Sequence, residues 1–464
     1  MTATPPSVAV VGGGLAGIAA ALRLADAGRA VTVFEAKPWL GGLTHSFRRG
    51  DLDVDNGQHV FLRCCAAYRA LLDRLGVTAH THLQERLDIP VRQPGSAAAR
   101  LRRTNLPAPL HLGSALMGYG LVNPFQRVRF IKAALAMKAL DRADPALDGR
   151  SFGDWLREHG QDAQTIRALW DLVGVATLNV TADDASLALA TMVFQVGLLT
   201  ETDAADIGWS RIPLRQLHGD AAATALAEAG ASVRTSTRVD AIDQVDGGFV
   251  VHTRDRELRV DQVVVATPPA VTHRLVPGLT TGDERLDTSP IVNLHVVVDR
   301  PVMTDPFVAG VGTPIQWVFD RTEPSGLAAR GDGGQYLAVS LSAADDLVDV
   351  PVARLRELLM PDLEALFPEL SGATVVDFFV TRERAATFRA SPGTRALRLP
   401  AVTEIPDLFL AGAWTDTGWP ATMEGAVRSG DTAADAALDS ASTVDRGAGG
   451  RAAAGRQRRQ GVPA

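Results

Sequence analysis

Hydrophobic residues along the chain change rhythm several times, and the order of those rhythms predicts the fold. Ser7–Val11 is a short continuous apolar run that stops at Gly12-Gly13-Gly14. An alanine-rich helical stretch follows from about Leu15 to Ala27, with Gly28 placed as its stop, and then Ala30–Glu35, which alternates and is β-branched. Strand, glycine turn, helix, strand is the opening βαβ unit of a doubly wound sheet. Ala66–Leu75 reads as a helix ended by Gly76. Helical periodicity then dominates Asn123–Leu140 and Phe152–Leu172, with a shorter helix at Ala221–Ala229. From Ser232 the pattern turns to short strands: Ser232–Arg238, Val239–Val245, Gly248–Thr253, Glu257–Val260 and the buried-type run Gln262–Ala266. Asp246-Gly247-Gly248 is a hairpin signal among them. A second β-rich block holds Ile291–Val298, Ile315–Phe319, Tyr336–Leu341 and Thr374–Thr381, with a helix at Val352–Leu366 expected to break or kink at Pro361. Leu408–Ala411 is a last strand before a helix from about Thr422 to Leu438, and the Gly-, Ala- and Arg-rich tail after Ser440 is expected to be disordered.

Composition narrows the class. A net charge of -7 provides no global basic field, so nucleic acid is not an expected partner. The two cysteines, Cys64 and Cys65, are adjacent and make no disulfide framework, which fits a reducing cytoplasm. The N-terminus carries no positive n-region, and no apolar stretch reaches the roughly 18 residues of a spanning helix. Any membrane contact is therefore expected to be peripheral, at the inner face of the plasma membrane. No His/Cys spacing suggests a metal; His80 and His82 stand alone.

The first chemistry lies in Gly12-x-Gly14-x-x-Gly17. The first glycine permits the turn, the second lets backbone approach a pyrophosphate, and the third lets helix and strand pack closely. The N–H groups around Leu15, Ala16 and Gly17 then face an anion at a helix N-terminus. Glu35 closes the second strand, 18 residues past Gly17, where a carboxylate accepts hydrogen bonds from a ribose diol and repels a 2′-phosphate. Further polar or glycine-rich clusters follow: Gly41-Gly42, Asp55-Asn56-Gly57-Gln58-His59, Gly412-Ala413-Trp414 and Thr422-Met423-Glu424-Gly425. Several such clusters across one chain fit a single extended cofactor, and the Gly41-Gly42 pair after Glu35 resembles that of flavoproteins, which implies FAD rather than NAD.

These motifs carry a resemblance. Val8–Gly17 and Phe34-Glu35-Ala36 are shared with the amine oxidase and phytoene desaturase superfamily. More specific are the Asp55–His59 loop, Ala176-Thr177-Leu178-Asn179, Ile291-Val292-Asn293-Leu294-His295, Gln316–Arg321 and Ala421–Gly430. On these the chain resembles the squalene-associated FAD-dependent desaturases, better named hydroxysqualene dehydroxylases, from about Val8 to Leu438. The resemblance implies an α/β fold: a Rossmann-type two-dinucleotide-binding FAD domain with an inserted α+β substrate domain. Residues 1–75, 231–290 and 396–440 would form the FAD-binding parts. Residues 76–230 would be a mostly helical part facing substrate or membrane, 291–395 the β-rich part of the substrate domain, and 441–464 a tail.

The implied cofactor contacts are Gly12, Gly14, Leu15, Ala16, Gly17, Glu35, Ala36, Gly41, Gly42, Gly57, Gln58, His59, Val239, Gly412, Ala413, Thr422, Met423, Glu424 and Gly425. Two positions depart from the superfamily pattern: Leu43 stands where an arginine is usual, and Ala413 where an acid is usual, with Asp416 as the candidate to take over that role and as a catalytic candidate beside His59. The implied reaction converts hydroxysqualene to squalene in the squalene or hopanoid pathway, with loss of an allylic hydroxyl and hydride from reduced flavin. Upstream enzymes of that pathway are the implied partners. An isoprenoid or carotenoid desaturase, a flavin amine oxidase, and a non-catalytic flavin- and lipid-binding protein are the alternatives.

His59 is the first catalytic candidate, as the acid or as the group orienting the hydroxyl, because its ordinary pKa of about 6.5 suits proton transfer near neutrality. The competing reading is a structural histidine bonded to backbone or cofactor. Asn179 and His295 could reach the substrate or be satisfied interior groups, and Asp320 and Arg321 read as an ordinary loop pair. Leu106–Leu140 mixes Leu110, Leu112, Leu116, Met117, Tyr119, Leu121 and Phe125 with Arg127, Arg129, Lys132 and Lys138. It reads equally as a membrane-dipping surface or as a core helix with a solvated basic face.

Overall fold

The computed structural model describes residues 6–279 and 286–456, the last sixteen of these as backbone only. The apolar run Ser7–Val11 is strand β1, Leu15–Asp26 is helix α1 and Ala30–Phe34 is strand β2. They join Ser232–Arg234 (β3), Gln262–Val265 (β4) and Leu408–Leu410 (β5) in one parallel sheet of order β3-β2-β1-β4-β5. The centre of this sheet, β1 and β4, is apolar without alternation because both faces are covered, as parallel sheets require. Helix α1 buries nearly its whole length, leaving Arg23 and Asp26 outward. The helix Met423–Arg456 (α2) lies across α1, and their contact is close: a Cβ on Gly430 would sit 2.1 Å from the Ala16 carbonyl oxygen. An Arg23–Asp435 ion pair spans the same contact on the solvent side.

A seven-stranded sheet forms the second layer. Its long central strand, Thr288–Val298, runs antiparallel to Gln335–Ser342 on one side and Val375–Phe388 on the other. The alternation read in the sequence separates its faces. Val292, Leu294, Val296 and Val298 pack against the helix Val352–Leu366, while Ile291, Asn293 and His295 point to the opposite face.

Several expectations shift. Within the mostly helical 76–230 stretch lie strands that the sequence reading does not name: Asp88–Arg92 and Ala99–Arg102 pair as a hairpin on the edge of the seven-stranded sheet, and Ile207–Ser210 joins a small sheet with Val60–Leu62 and Thr81–Leu83. The helix expected over Phe152–Leu172 ends at Glu158, where Gly160 takes φ +74, and restarts with Asp162 as its cap. Val352–Leu366 runs unbroken through Pro361, its apolar face held by Leu355, Leu359 and Leu363. The tail expected to lose order past Ser440 continues α2 to Arg456. Residues 457–464 lie outside the described ones.

Candidate active site

The cradle begins where β1 ends. Gly12 takes φ +113, and a side chain there would strike the Ala266 carbonyl oxygen at 2.4 Å. Gly17 admits no substitution, since a Cβ would lie 1.8 Å from the Gly12 carbonyl oxygen. Gly14 differs: its backbone is extended, and the nearest atom to a Cβ would be Gly42 Cα at 3.7 Å. Gly14 also opens α1 without a side-chain cap, and the helix has no acid in its first turn. The amides of Leu15, Ala16 and Gly17 are left for an anion. Gly41 pairs with Gly14 in an isolated bridge, so Gly41-Gly42 lines the same opening. Glu35 is fixed beside it, with Oε2 accepting from the Gly13 amide at 2.7 Å and Oε1 from Lys37 N–H at 2.7 Å. Ala36 is exposed beside it, while Val239 is buried in the core with Val11 and Phe34, leaving only its backbone for any cofactor contact.

The Asp55–His59 loop is held from below. Asp55 is buried and accepts from Ser46 Oγ at 2.6 Å, Leu214 N–H at 3.0 Å and Arg321 Nη2 at 2.6 Å. Arg321 is thus not paired with its neighbour Asp320, which instead accepts from Gln335 Nε2. Asn56 ties two loops together, donating to the Leu43 carbonyl and to Glu383 and accepting from His45 N–H. Leu43 keeps this backbone role although its side chain is half exposed. His295, Tyr336 and Thr381 form a buried chain. Thr381 Oγ1 donates to the Asn56 carbonyl at 2.9 Å, so it accepts from His295 Nε2–H at 2.9 Å, and Tyr336 donates to His295 Nδ1 at 2.6 Å. His295 therefore shapes the loop and lies beneath the site.

Burial pushes the imidazoles of His295 and His218 down to about 3. Their folded values lie below the ordinary 6.5, so their stabilising effect is complete above that pH and is lost as the pH falls from 6.5 toward 3. Each is expected to cost about 1.4 kcal/mol of stability per pH unit below 6.5. Denaturant unfolding followed against pH checks this. His295→Gln, which cannot titrate, should lose about half of the acid slope due to the pair, and an unchanged slope would contradict the assignment.

His59 is neutral at neutral pH, because burial lowers its pKa. Its Nδ1–H donates to the Gly57 carbonyl at 3.1 Å, which leaves Nε2 as an acceptor. That arrangement suits orienting a hydroxyl better than protonating one. Gln58 Nε2 is buried with no hydrogen-bond partner among the described residues, as are His45 Nδ1 and Asn293 Oδ1. Three unsatisfied polar atoms around one pair of loops mark the place of a polar ligand.

Beyond Gln58 opens a cavity of about 150 Å³ walled by Leu62, Ile89, Leu172, Val193, Phe307 and Trp317, with Thr177, Ser340 and Ser342 as its other polar side chains. No Asp, Glu, Lys, Arg or His lines it. Gln58 lines this cavity and His59 does not. Ile291, Ser340 and Ser342 reach it because they share the face of the seven-stranded sheet that turns from its helix.

The C-terminal motif completes the cradle. Gly412 takes φ +137, with Trp414 folded back so that a Cβ would meet its indole nitrogen at 2.6 Å. Thr422 caps α2 by accepting from Gly425 N–H at 3.1 Å, and Met423 is the first helical residue. Two expectations are corrected here. Glu424 is buried and faces the helix Ala66–Arg74, accepting from Ala67 N–H at 3.2 Å and Tyr68 N–H at 2.7 Å, so its carboxylate caps that helix. Asp416 is exposed and accepts only a long bond from Gly418 N–H. Trp414 takes the inward place, its indole donating to the Thr267 carbonyl at 2.9 Å, while Asp416 turns outward. Arg398, which no sequence pattern singles out, grips this loop by donating to the Trp414 carbonyl at 3.1 Å and that of Ala413 at 3.2 Å. Burial pushes its guanidinium down to about 10.

The open cradle before the α1 amides, the fixed Glu35 carboxylate and the unsatisfied His45 Nδ1 and Asn293 Oδ1 fit FAD. Residues 15–438 match the family described as flavin containing amine oxidoreductase. The chain is 32% identical over 447 residues to hydroxysqualene dehydroxylase from Rhodopseudomonas palustris, covering 93% of this chain and 98% of that protein. It is 30% identical to hydroxysqualene dehydroxylase from Sinorhizobium fredii, covering 95% and 100%. Zeta-carotene desaturase from Zea mays is 25% identical over 91% of this chain and 82% of its own length. Among solved structures, cyclohexylamine oxidase from Brevibacterium oxydans superposes with a TM-score of 0.70 over 94% of this chain and 99% of its own, at 19% identity, which establishes the shared fold. The chain is a FAD-dependent oxidoreductase of the flavin-containing amine oxidoreductases and belongs, within them, to the hydroxysqualene dehydroxylase family.

Proposed function

We propose that the protein reduces hydroxysqualene to squalene, in squalene or hopanoid biosynthesis. The observation that carries this reading is the uncharged, apolar cavity that opens from Gln58, beside the cofactor cradle. A protonated amine would lose its hydration there with no carboxylate to receive it, which argues against amine oxidation. A hydrocarbon chain with one hydroxyl matches the lining. A cavity of 150 Å³ has room for about five waters at ~30 Å³ each, so a long isoprenoid extends through its mouth or displaces wall side chains.

In this reading the amides of α1 and the Gly41-Gly42 turn hold the FAD pyrophosphate, Glu35 its ribose, and the Gly412–Gly425 segment the flavin end. Bound in its two-electron-reduced form, FAD would supply both the hydride that replaces the allylic hydroxyl and the proton with which that hydroxyl leaves as water, since no acid lines the cavity. Gln58 Nε2 donates to the departing oxygen, and His59, which does not line the cavity, holds the loop that presents Gln58 through its bond to the Gly57 carbonyl. The apolar walls keep water from the electron-deficient carbon. Such a substrate dissolves in bilayers, and in this reading the enzyme works from the cytoplasm against the inner face of the membrane, beside the enzymes that form hydroxysqualene.

The likeness to zeta-carotene desaturase supports a second reading, an isoprenoid desaturase in which the same flavin runs in the oxidative direction. One anaerobic experiment separates them. Holoenzyme with its flavin reduced is mixed with hydroxysqualene, and flavin absorbance and products are followed. Reoxidation with squalene appearing is expected. Flavin that stays reduced moves the weight to the desaturase. Gln58→Ala is expected to lower turnover at least ~10-fold with FAD still bound, and His59→Ala to do so by a smaller factor, the proton work of a general acid being worth about 100-fold or more.

A further inference from the structure

The helix Pro124–Lys138 is apolar on both sides. Gln126, Ala133, Ala134 and Met137 are buried against the protein. On the opposite side Phe125, Val128, Ile131 and Leu135 are exposed by 64, 52, 42 and 50%, at spacings that keep them on one face. A row of large apolar side chains exposed on the face turned from the protein is a surface for contact with something apolar outside the chain. The stripe is extended by Leu110 and Met117, exposed by 64 and 65% in the segment that leads into the helix.

Charge identifies what covers it. From Ile89 to Leu140 the sequence contains no Asp or Glu, although the chain has 53 of them and a net charge of -7. Arg129, Lys132 and Lys138 flank the stripe, exposed, and form no ion pair with a carboxylate among the described residues. Arg129 folds over the Phe125 ring, 4.3 Å from its centroid. A second copy of an acidic chain would bring its own carboxylates, but both copies would present the same basic apolar face. An apolar stripe rimmed by unpaired cations is complementary to an anionic bilayer surface.

The underside of the same segment leads to the substrate cavity. Leu116, Tyr119 and Leu121 pack in one cluster with Leu172, Ile89 and Phe307, which are cavity wall. We infer that the stripe of Pro124–Lys138, with Leu110 and Met117, is a monotopic docking surface that seats the protein on an anionic lipid leaflet beside the entrance to its cavity. Vesicle binding does not depend on which isoprenoid is turned over, so the test stands apart from the catalytic one.

Holoenzyme is floated with vesicles of phosphatidylcholine alone or mixed with phosphatidylglycerol. The wild type is expected to float with the mixed vesicles and less with the neutral ones. Ile131→Asp with Leu135→Asp, two exposed positions remote from the cradle, should lose flotation while keeping bound FAD. Arg129→Glu with Lys132→Glu should lose the preference for phosphatidylglycerol, about fivefold or more for each position at low salt. Should the aspartates disturb folding, Phe125→Ser with Val128→Ser tests the same contact without charge. Wild type that stays unbound with both vesicles, or aspartate and serine variants that float as it does, overturns the proposal. So does a dimer in light scattering that the aspartates dissolve in the absence of any flotation, which would assign the face to a second copy.

Discussion

Gly14→Ala is expected to fold as the wild type does and to lose FAD affinity by about 100-fold. The two halves of this expectation have separate causes. Gly14 sits in extended backbone open to any residue, and the added methyl would find Gly42 Cα at 3.7 Å, an ordinary contact. What the methyl does enter is the space before the α1 amides, where a pyrophosphate must come within hydrogen-bond distance. Charge-assisted bonds of this kind contribute about 1.5–3 kcal/mol each, so displacing the phosphate from one or two of them gives the stated loss. Gly17→Ala is the contrast, because its methyl would meet the Gly12 carbonyl oxygen at 1.8 Å and the turn itself must change. Flavin content after purification and thermal unfolding of the apoprotein measure the two effects independently. A Gly14→Ala protein that retains flavin at wild-type affinity would move the pyrophosphate elsewhere.

The second large effect is expected at Arg321. Its guanidinium reaches Asp55 at 2.6 Å with both side chains almost fully buried, 9 and 5% exposed. Its other arm donates to the Ser210 carbonyl at 3.0 Å. Removing one member of such a pair leaves a buried charge uncompensated and costs about 3–5 kcal/mol. Arg321→Ala should therefore lower the unfolding midpoint sharply and also loosen the loop that presents Gln58. The double variant Arg321→Met, Asp55→Leu removes both charges and should recover part of the loss, since the attraction between the two ions does little more than offset their desolvation. Denaturant unfolding of Arg321→Met alone, Asp55→Leu alone and the double variant closes a cycle. A near-additive result would mean that the two side chains do not act as a pair.

The same pair shows where sequence reading stops. The β1–α1–β2 unit was legible because every signal in it is local: an apolar run, three glycines at fixed offsets, an acid at the end of the next strand. The Asp55–His59 loop was legible as a motif, yet the jobs of its members were not. Asp55 is held by a residue 266 positions away, and Glu424 caps a helix 357 positions before it. Nothing in Gln316–Arg321 says that the arginine turns from its neighbouring aspartate toward another layer. Asp416 was chosen for its type, and the inward place had already been taken by Trp414. The cavity lining was visible only as alternation on Ile291–Val298 and Tyr336–Leu341, and which face would be wall depended on where the helix Val352–Leu366 packed. Gly160 ended a helix that apolar periodicity carried through, because its positive φ outweighed the pattern.

The contact of α2 with α1 at Gly430 bears on when the protein can acquire its cofactor. On the ribosome, the glycine turn that meets the phosphates emerges first. The strand Leu408–Leu410 that finishes the parallel sheet, and the helix that braces α1 from behind, emerge last. Domains fold as units during synthesis, but this one joins strands as far apart in the chain as Ser7–Val11 and Leu408–Leu410. Stable flavin loading is therefore expected only once the chain through Gly430 has left the ribosome, because the brace behind α1 is missing until then.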